Sequence, residues 1–207
     1  MILNPPGNSI LLHVCCAPCS GAIIETLCAQ GLKPVVFWSN SNICTPEENK
    51  RRLDVLLPYA KEFGVPVVED SYDHADWLAF VRGQLAAEAG SYPERGPRCL
   101  MCFRYRLLRA ARYGAANGFD CLTTSLASSR WKSLEQVDDA GSWAVSLAAS
   151  SKPLAWWPQN WRKGGLQPRR NEIIRERNFY NQTFCGCEFS LSDNNQTKPI
   201  SICPKQS

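Results

Sequence analysis

The stretch LLHVCCAPCSG, residues 11–21, constrains this chain more than any other. A short apolar run that reads as a strand ends in Cys15, Cys16 and Cys19, so three thiols occupy the turn where a strand hands over to a helix. Similar runs rich in Val, Ile and aromatic residues recur at 34–39, 65–69, 120–125 and 154–157, separated by helical stretches. GAIIETLCAQ after Cys19 closes at Gly31. The next helix is marked at both ends, with Thr45 as N-cap, Pro46 at the first helical position, Glu48 completing a capping box and Gly64 as stop. Pro58 is expected to kink it. Residues 74–90 and 103–118 supply two more helices, and Ser133 with Gln136 opens another. This alternation predicts a single α/β domain over 1–190, a Rossmann-like parallel sheet with helices on both faces and a site at the carboxyl ends of its strands. The polar tail 191–207 reads as loosely ordered.

A chain of 207 residues that is 44% hydrophobic, with seven Trp and eight Phe, builds its core without disulfides, so its eleven cysteines need another explanation. The N-terminus has no charged n-region and no run is long enough to span a bilayer, which predicts a cytoplasmic protein with no membrane partner. Thiols stay reduced there, and clustered cysteines then point to metal or redox chemistry.

Cys99 and Cys102 form a C-x-x-C pair at the opening of a helix, where two thiolates grip one metal or one cluster; zinc is the commonest occupant. Cys185 and Cys187 flank a single glycine. Joined, they would form a tight, strained and therefore reversible disulfide; unjoined, they could be two more ligands, and spacing alone leaves both open. Adjacent Cys15 and Cys16 face one inorganic centre, with Cys19 a helical turn further. These groups exceed the needs of one tetrahedral zinc, which favours an iron–sulfur cluster with something beside it. Cys28, Cys44, Cys121 and Cys203 read as bystanders, His13 as a packed core residue and His74 as a helix-start residue.

Net charge is +4, unevenly placed. Residues 98–118 hold five arginines and no acid, and 162–177 hold six basic residues against two acids, which suggests a polyanion partner. Arg106, Arg109 and Arg112 share a helix side and, with Arg162, Lys163, Arg169 and Arg170, are placed to track phosphates. Trp156, Trp157 and Trp161 are candidates to stack on bases, and Thr123, Thr124, Ser128, Ser129, Arg130 and Lys132, a hydroxyl-rich and basic loop, suit substrate or phosphate contacts.

In order and separation, LLHVCCAPCS, RCLMCFRYRLLRAA, FDCLTTSLASSRWK, WRKGG and YNQTFCGCEFS resemble the QueH-type epoxyqueuosine reductases over residues 10–190. The resemblance implies an adenine-nucleotide hydrolase-like fold and a tRNA-modifying oxidoreductase that reduces the epoxide of epoxyqueuosine at the wobble position, the last step of queuosine synthesis. It further implies a [4Fe-4S] cluster on Cys15, Cys16, Cys99 and Cys102, a redox-active disulfide pair at Cys185 and Cys187, no cobalamin, and an electron donor that is a thiol or a reduced protein. A second iron is implied beside the cluster, held in part at the position of Cys19, which is aspartate in some members and cysteine here. Two rival readings make different demands. An iron–sulfur tRNA-thiolating enzyme of this fold needs a Gly-rich phosphate loop after the first strand, where this chain has CCAPCSG. A non-enzymatic zinc module that binds RNA would be colourless.

Overall fold

The computed structural model describes residues 2–148 and 152–194, and the expected tail lies, beyond residue 194, outside the described residues. Among the described residues five strands form one parallel sheet: β1 (Ile10–Val14), β2 (Val35–Trp38), β3 (Val67–Glu69), β4 (Cys121–Thr124) and β5 (Ala155–Trp156), in the order β3-β2-β1-β4-β5. Every residue of β1 is buried, as a central strand covered on both faces requires. The predicted Rossmann-like α/β class is the one observed.

Seven helices are described among these residues: α1 (Ala17–Ala29), α2 (Pro46–Glu62), α3 (His74–Gly83), α4 (Pro97–Ala116), α5 (Leu134–Leu147), α6 (Leu166–Glu176) and α7 (Glu188–Asn194). Helix α1 packs on α2 and α6, while α4 packs on α3 and α5. The Thr45 hydroxyl caps α2 by accepting from Glu48 N at 3.1 Å, and the helix continues through Pro58 to Glu62. Helix α3 ends at Gly83, short of the expected residue 90, and the chain then makes a short 3₁₀ turn at Ala89–Ser91 whose Ala89 carbonyl accepts from Arg98. Helix α4 starts at Pro97, six residues before the expected start, because a proline at the first helical position loses no hydrogen bond.

From β1 the chain builds outward through β2 to β3, then returns to place β4 on the other side of β1. The boundary between β1 and β4 is therefore the topological switch point, where a crevice opens at the carboxyl ends. His13 stitches this boundary. Its Nε2–H donates to the Ser39 carbonyl at 3.3 Å, which leaves Nδ1 to accept from the Thr124 hydroxyl at 2.7 Å. Burial, then the nearby Arg106 charge, pull its pKa down to about 3, so it is a neutral core residue as its position in the strand predicted.

Candidate active site

The turn after β1 gathers three thiols. Cys16 is the extended N-cap of α1, and Pro18 stands in the first helical turn. The sulfur atoms of Cys15, Cys16 and Cys19 all lie within 4.8 Å of one another, with Cys15 Sγ and Cys16 Sγ 3.8 Å apart. Ser125, the residue after β4, fixes Cys15 twice: its Oγ accepts from Cys15 N at 3.0 Å and donates to Cys15 Sγ at 3.3 Å. Gln182 Nε2 donates to Cys16 Sγ at 3.1 Å. Hydrogen bonds from Cys16 and Cys19 hold the Cys15 thiol well below its ordinary range, helped by Lys132 and Arg106, while the same sharing raises Cys16 and pushes Cys19 up to about 11. A soft, buried donor set of this kind can hold a metal ion.

Cys99 and Cys102 occupy the first two turns of α4, and the Cys99 sulfur accepts from Arg95 N at 3.3 Å. Burial pushes the Cys102 thiol up to about 12, against the opposing charge of Arg106. Cys102 shares a small apolar cluster with Trp77, Met101 and Cys187, which joins α3, α4 and the C-terminal loop.

That loop is held by α2. Buried Arg52, paired with Glu48 at 2.7 Å, donates to the carbonyls of Cys185 at 3.0 Å and Phe184 at 3.4 Å, and Cys44 N donates to Gly186 O at 2.9 Å. Gly186 adopts φ 136°, and a Cβ there would meet Asn42 Nδ2 and Ile43 Cγ1 at 3.1 Å and Arg52 Nη1 at 3.3 Å. Only glycine suits both the backbone and the space. Cys187 is buried, and burial, then the charge of Cys185, raise its thiol; Cys185 itself is exposed. Cys185 lines a narrow cleft with Cys15, Asn40, Asn42, Arg106 and Lys132, and its charge also bears on Cys99 and Cys102. Cys185 thus shares a cleft with Cys15, and Cys187 an apolar cluster with Cys102, while only Cys15, Cys16 and Cys19 lie within ligand distance of one another among the described residues. Burial lowers the Lys132 pKa, but the charges of Cys185, Cys15 and Cys19 outweigh this and raise it. A larger shallow hollow lined by Leu57, Pro58 and Val65 lies at the amino end of β3, away from every one of these cysteines.

The expected basic residues are placed unevenly. Arg106 does not ride an outer helix face: it is buried, donates to the carbonyl of Ser39 at 3.2 Å and to Asn40 Oδ1, and forms part of the cleft. This corrects its reading as a surface phosphate contact. Arg169 is partly exposed but engaged by carboxylates, bidentate to Glu25 of α1 at 2.7 and 2.9 Å and reaching Glu172 and Glu176. Arg109 pairs with Asp70 through Nη2 at 2.7 Å, and Arg162 donates to loop carbonyls. Lys163 is exposed and Arg170 half-buried. Trp157 and Trp161 are buried and Trp156 is half-buried with its ring against Gly141, so the first two are not stacking surfaces. Sequence reasoning passed over Ser125, Gln182, Arg52, Arg95 and Trp131. Ser125, Gln182 and Arg52 act through contacts 110–166 residues apart in sequence that no local pattern reveals, and Arg95 through a backbone bond to the Cys99 sulfur four residues on; Trp131 had a signal, an aromatic set between Arg130 and Lys132.

A family model described as epoxyqueuosine reductase QueH matches residues 10–193. The chain is 38% identical over 196 residues to the epoxyqueuosine reductase QueH of Acinetobacter baylyi, covering 94% of this chain and 86% of that protein. It is 38% identical over 193 residues to that of Haemophilus influenzae, covering 93% and 76%, and 26% identical over 187 residues to that of Thermotoga maritima, covering 89% and 91%. With the Cys15, Cys16 and Cys19 trio at the switch point of the sheet, this match over nearly the whole chain makes it a member of the epoxyqueuosine reductase QueH family.

Proposed function

We propose that this chain reduces the epoxide of epoxyqueuosine in tRNA to the alkene of queuosine, with a [4Fe-4S] cluster on Cys15, Cys16, Cys99 and Cys102 and a redox-active dithiol at Cys185 and Cys187. The observation that supports the reading is that Cys185 lines one cleft with Cys15, while its partner Cys187 packs in an apolar cluster with Cys102. The donor set suits such a cluster: soft sulfur ligands, N–H and O–H donors from Arg95, Gln182 and Ser125 aimed at three of them, and buried Arg106 beside them to offset negative charge. Bound there, the cluster would supply one-electron transfer. Cys19 is left over in the buried trio and is the ligand proposed for a second, mononuclear iron.

The electron count closes on the protein's own thiols. Conversion of an epoxide to an alkene and water takes two electrons and two protons, and oxidation of the Cys185–Cys187 dithiol to a disulfide releases two of each. An external thiol or reduced protein then resets the pair, and no cobalamin is required. Lys132, which lines the cleft, is the residue proposed to offer a proton to the departing oxygen. Lys163 and Arg170 are the residues proposed to contact phosphates. The test is anaerobic incubation with tRNA carrying epoxyqueuosine and a dithiol reductant, followed by nucleoside mass spectrometry. Queuosine should accumulate, and unchanged epoxyqueuosine with an iron-loaded protein would overturn the proposal.

The glycine between the two cysteines gives a narrower prediction. Gly186→Ala must leave its φ of 136° or push against Asn42 and Ile43, which shifts Cys185 from the cleft. Turnover should fall about a hundredfold, as for an ångström-scale misplacement of a reacting group, with iron content retained. Near-normal turnover would show that Cys185 need not be held there.

A further inference from the structure

Among the described residues three large hydrophobic side chains are exposed, Ile2, Trp131 and Leu147, and Trp131 is the aromatic one, at 69% exposure. A single exposed hydrophobic residue decides nothing by itself. The backbone beneath this one does. Arg95 donates from Nε to Trp131 O at 3.0 Å and from Nη2 to Arg130 O at 3.1 Å. Arg162 Nη2 donates to Ser129 O at 2.5 Å and to Lys132 O at 2.7 Å. Four successive carbonyls, 129–132, therefore each accept from one of two guanidinium groups. An ordinary solvated loop leaves its carbonyls to water; this one is fixed in place while its largest side chain is left bare.

The loop also adjoins the cysteines of the site. Arg95 N donates to the Cys99 sulfur, and Lys132, next to Trp131 in the chain, lines the cleft with Cys15 and Cys185. The cleft holds about 30 Å³, room for only a water or two. A nucleoside bound here would therefore lie at its mouth, with only the reacting group reaching in. The surroundings of the indole are basic: the Arg130 guanidinium stands 5.9 Å from the ring centroid, and residues 127–133, ASSRWKS, contain no acid. A fixed, bare aromatic face inside a ring of cations is the recognition chemistry of unpaired nucleic-acid bases, in which stacking and phosphate attraction act together.

We propose that Trp131 is a stacking platform for an unpaired base of the RNA substrate, held at the mouth of the cleft by Arg95 and Arg162. This rests on the reading of tRNA as substrate. The test uses the full-length, anaerobically purified protein and a synthetic anticodon stem-loop RNA as probe. Trp131→Ala should weaken binding about tenfold, in the range measured for loss of one base–aromatic stack, and should abolish the part of the tryptophan fluorescence that RNA quenches. Trp131→Phe should stay within roughly threefold of wild type, because any aromatic face stacks. The salt dependence of binding should be unchanged in Trp131→Ala and shallower by about one unit in Arg130→Ala, which separates stacking from charge. Equal affinity of Trp131→Ala and wild type, with wild type binding the RNA, would overturn the platform and leave the tRNA reading intact. Absence of RNA binding by wild type would overturn both.

Discussion

Serine at Cys15 and Cys16 together will give a folded protein that has lost its iron and its activity. The two sulfur atoms stand 3.8 Å apart at the end of the central strand, and the groups that donate to them, Ser125 and Gln182, come from two other segments of the chain. Loss of an outer hydrogen-bond partner alone costs about 10–100-fold in metal affinity, and removing two ligands costs more. Serine is close to cysteine in size, and the strand is held by Ile10, Leu11, Leu12 and Val14, all buried, so circular dichroism should be near wild type. Cys99→Ser and Cys102→Ser should each strip most of the visible absorbance as well. Cys28→Ser, on the same helix as Cys19 but outside the trio, should leave iron unchanged. Full iron and sulfide in the Cys15, Cys16 variant would remove this turn from the metal site.

The complementary pair should behave in the opposite way. Cys185→Ser with Cys187→Ser is expected to keep near-normal iron yet lose multiple turnover with a thiol donor, because in the proposed assignment four thiolates elsewhere would satisfy the cluster while the dithiol would supply two electrons per cycle. The placement of the pair supports this division. Cys185 is exposed, and so accessible to an external reductant, whereas Cys187 is buried among apolar side chains that include Trp77, Met101 and Cys102. A strained two-residue ring is the kind that opens readily. If the double variant bleaches, the pair ligates metal and Cys19 becomes a principal ligand in place of one of the four.

The strands and the caps of α2 were legible because they rest on local patterns: apolar runs, a capping box, a proline at the first helical position. The cysteine groups were legible as groups for the same reason. Their partners were not. Arg106 looked like one of three arginines on a helix face, and nothing in its neighbourhood announces that it turns inward to Ser39 and Asn40, 67 and 66 residues away. Arg169 sits in a basic island by composition, yet three carboxylates, one of them on α1, neutralise it. Net charge along the chain reports composition and not which charges the fold pairs. Helix α6 went unmarked because it starts after two glycines with positive φ and has no side-chain cap. Of the tryptophans offered as stacking candidates, Trp157 and Trp161 fill the core, while the platform proposed above, Trp131, lies on the loop after β4.

The most direct test is one anaerobic turnover with thiol trapping. Fully reduced, iron-loaded protein is mixed with a limiting amount of tRNA carrying epoxyqueuosine and no external reductant, quenched with an alkylating agent, and analysed by mass spectrometry of both nucleosides and peptides. One Cys185–Cys187 disulfide should appear for each queuosine formed, with both growing at the same rate. Queuosine formed while Cys185 and Cys187 remain fully alkylatable would contradict the assignment of the electrons to this pair, and no queuosine at all would contradict the proposed reaction.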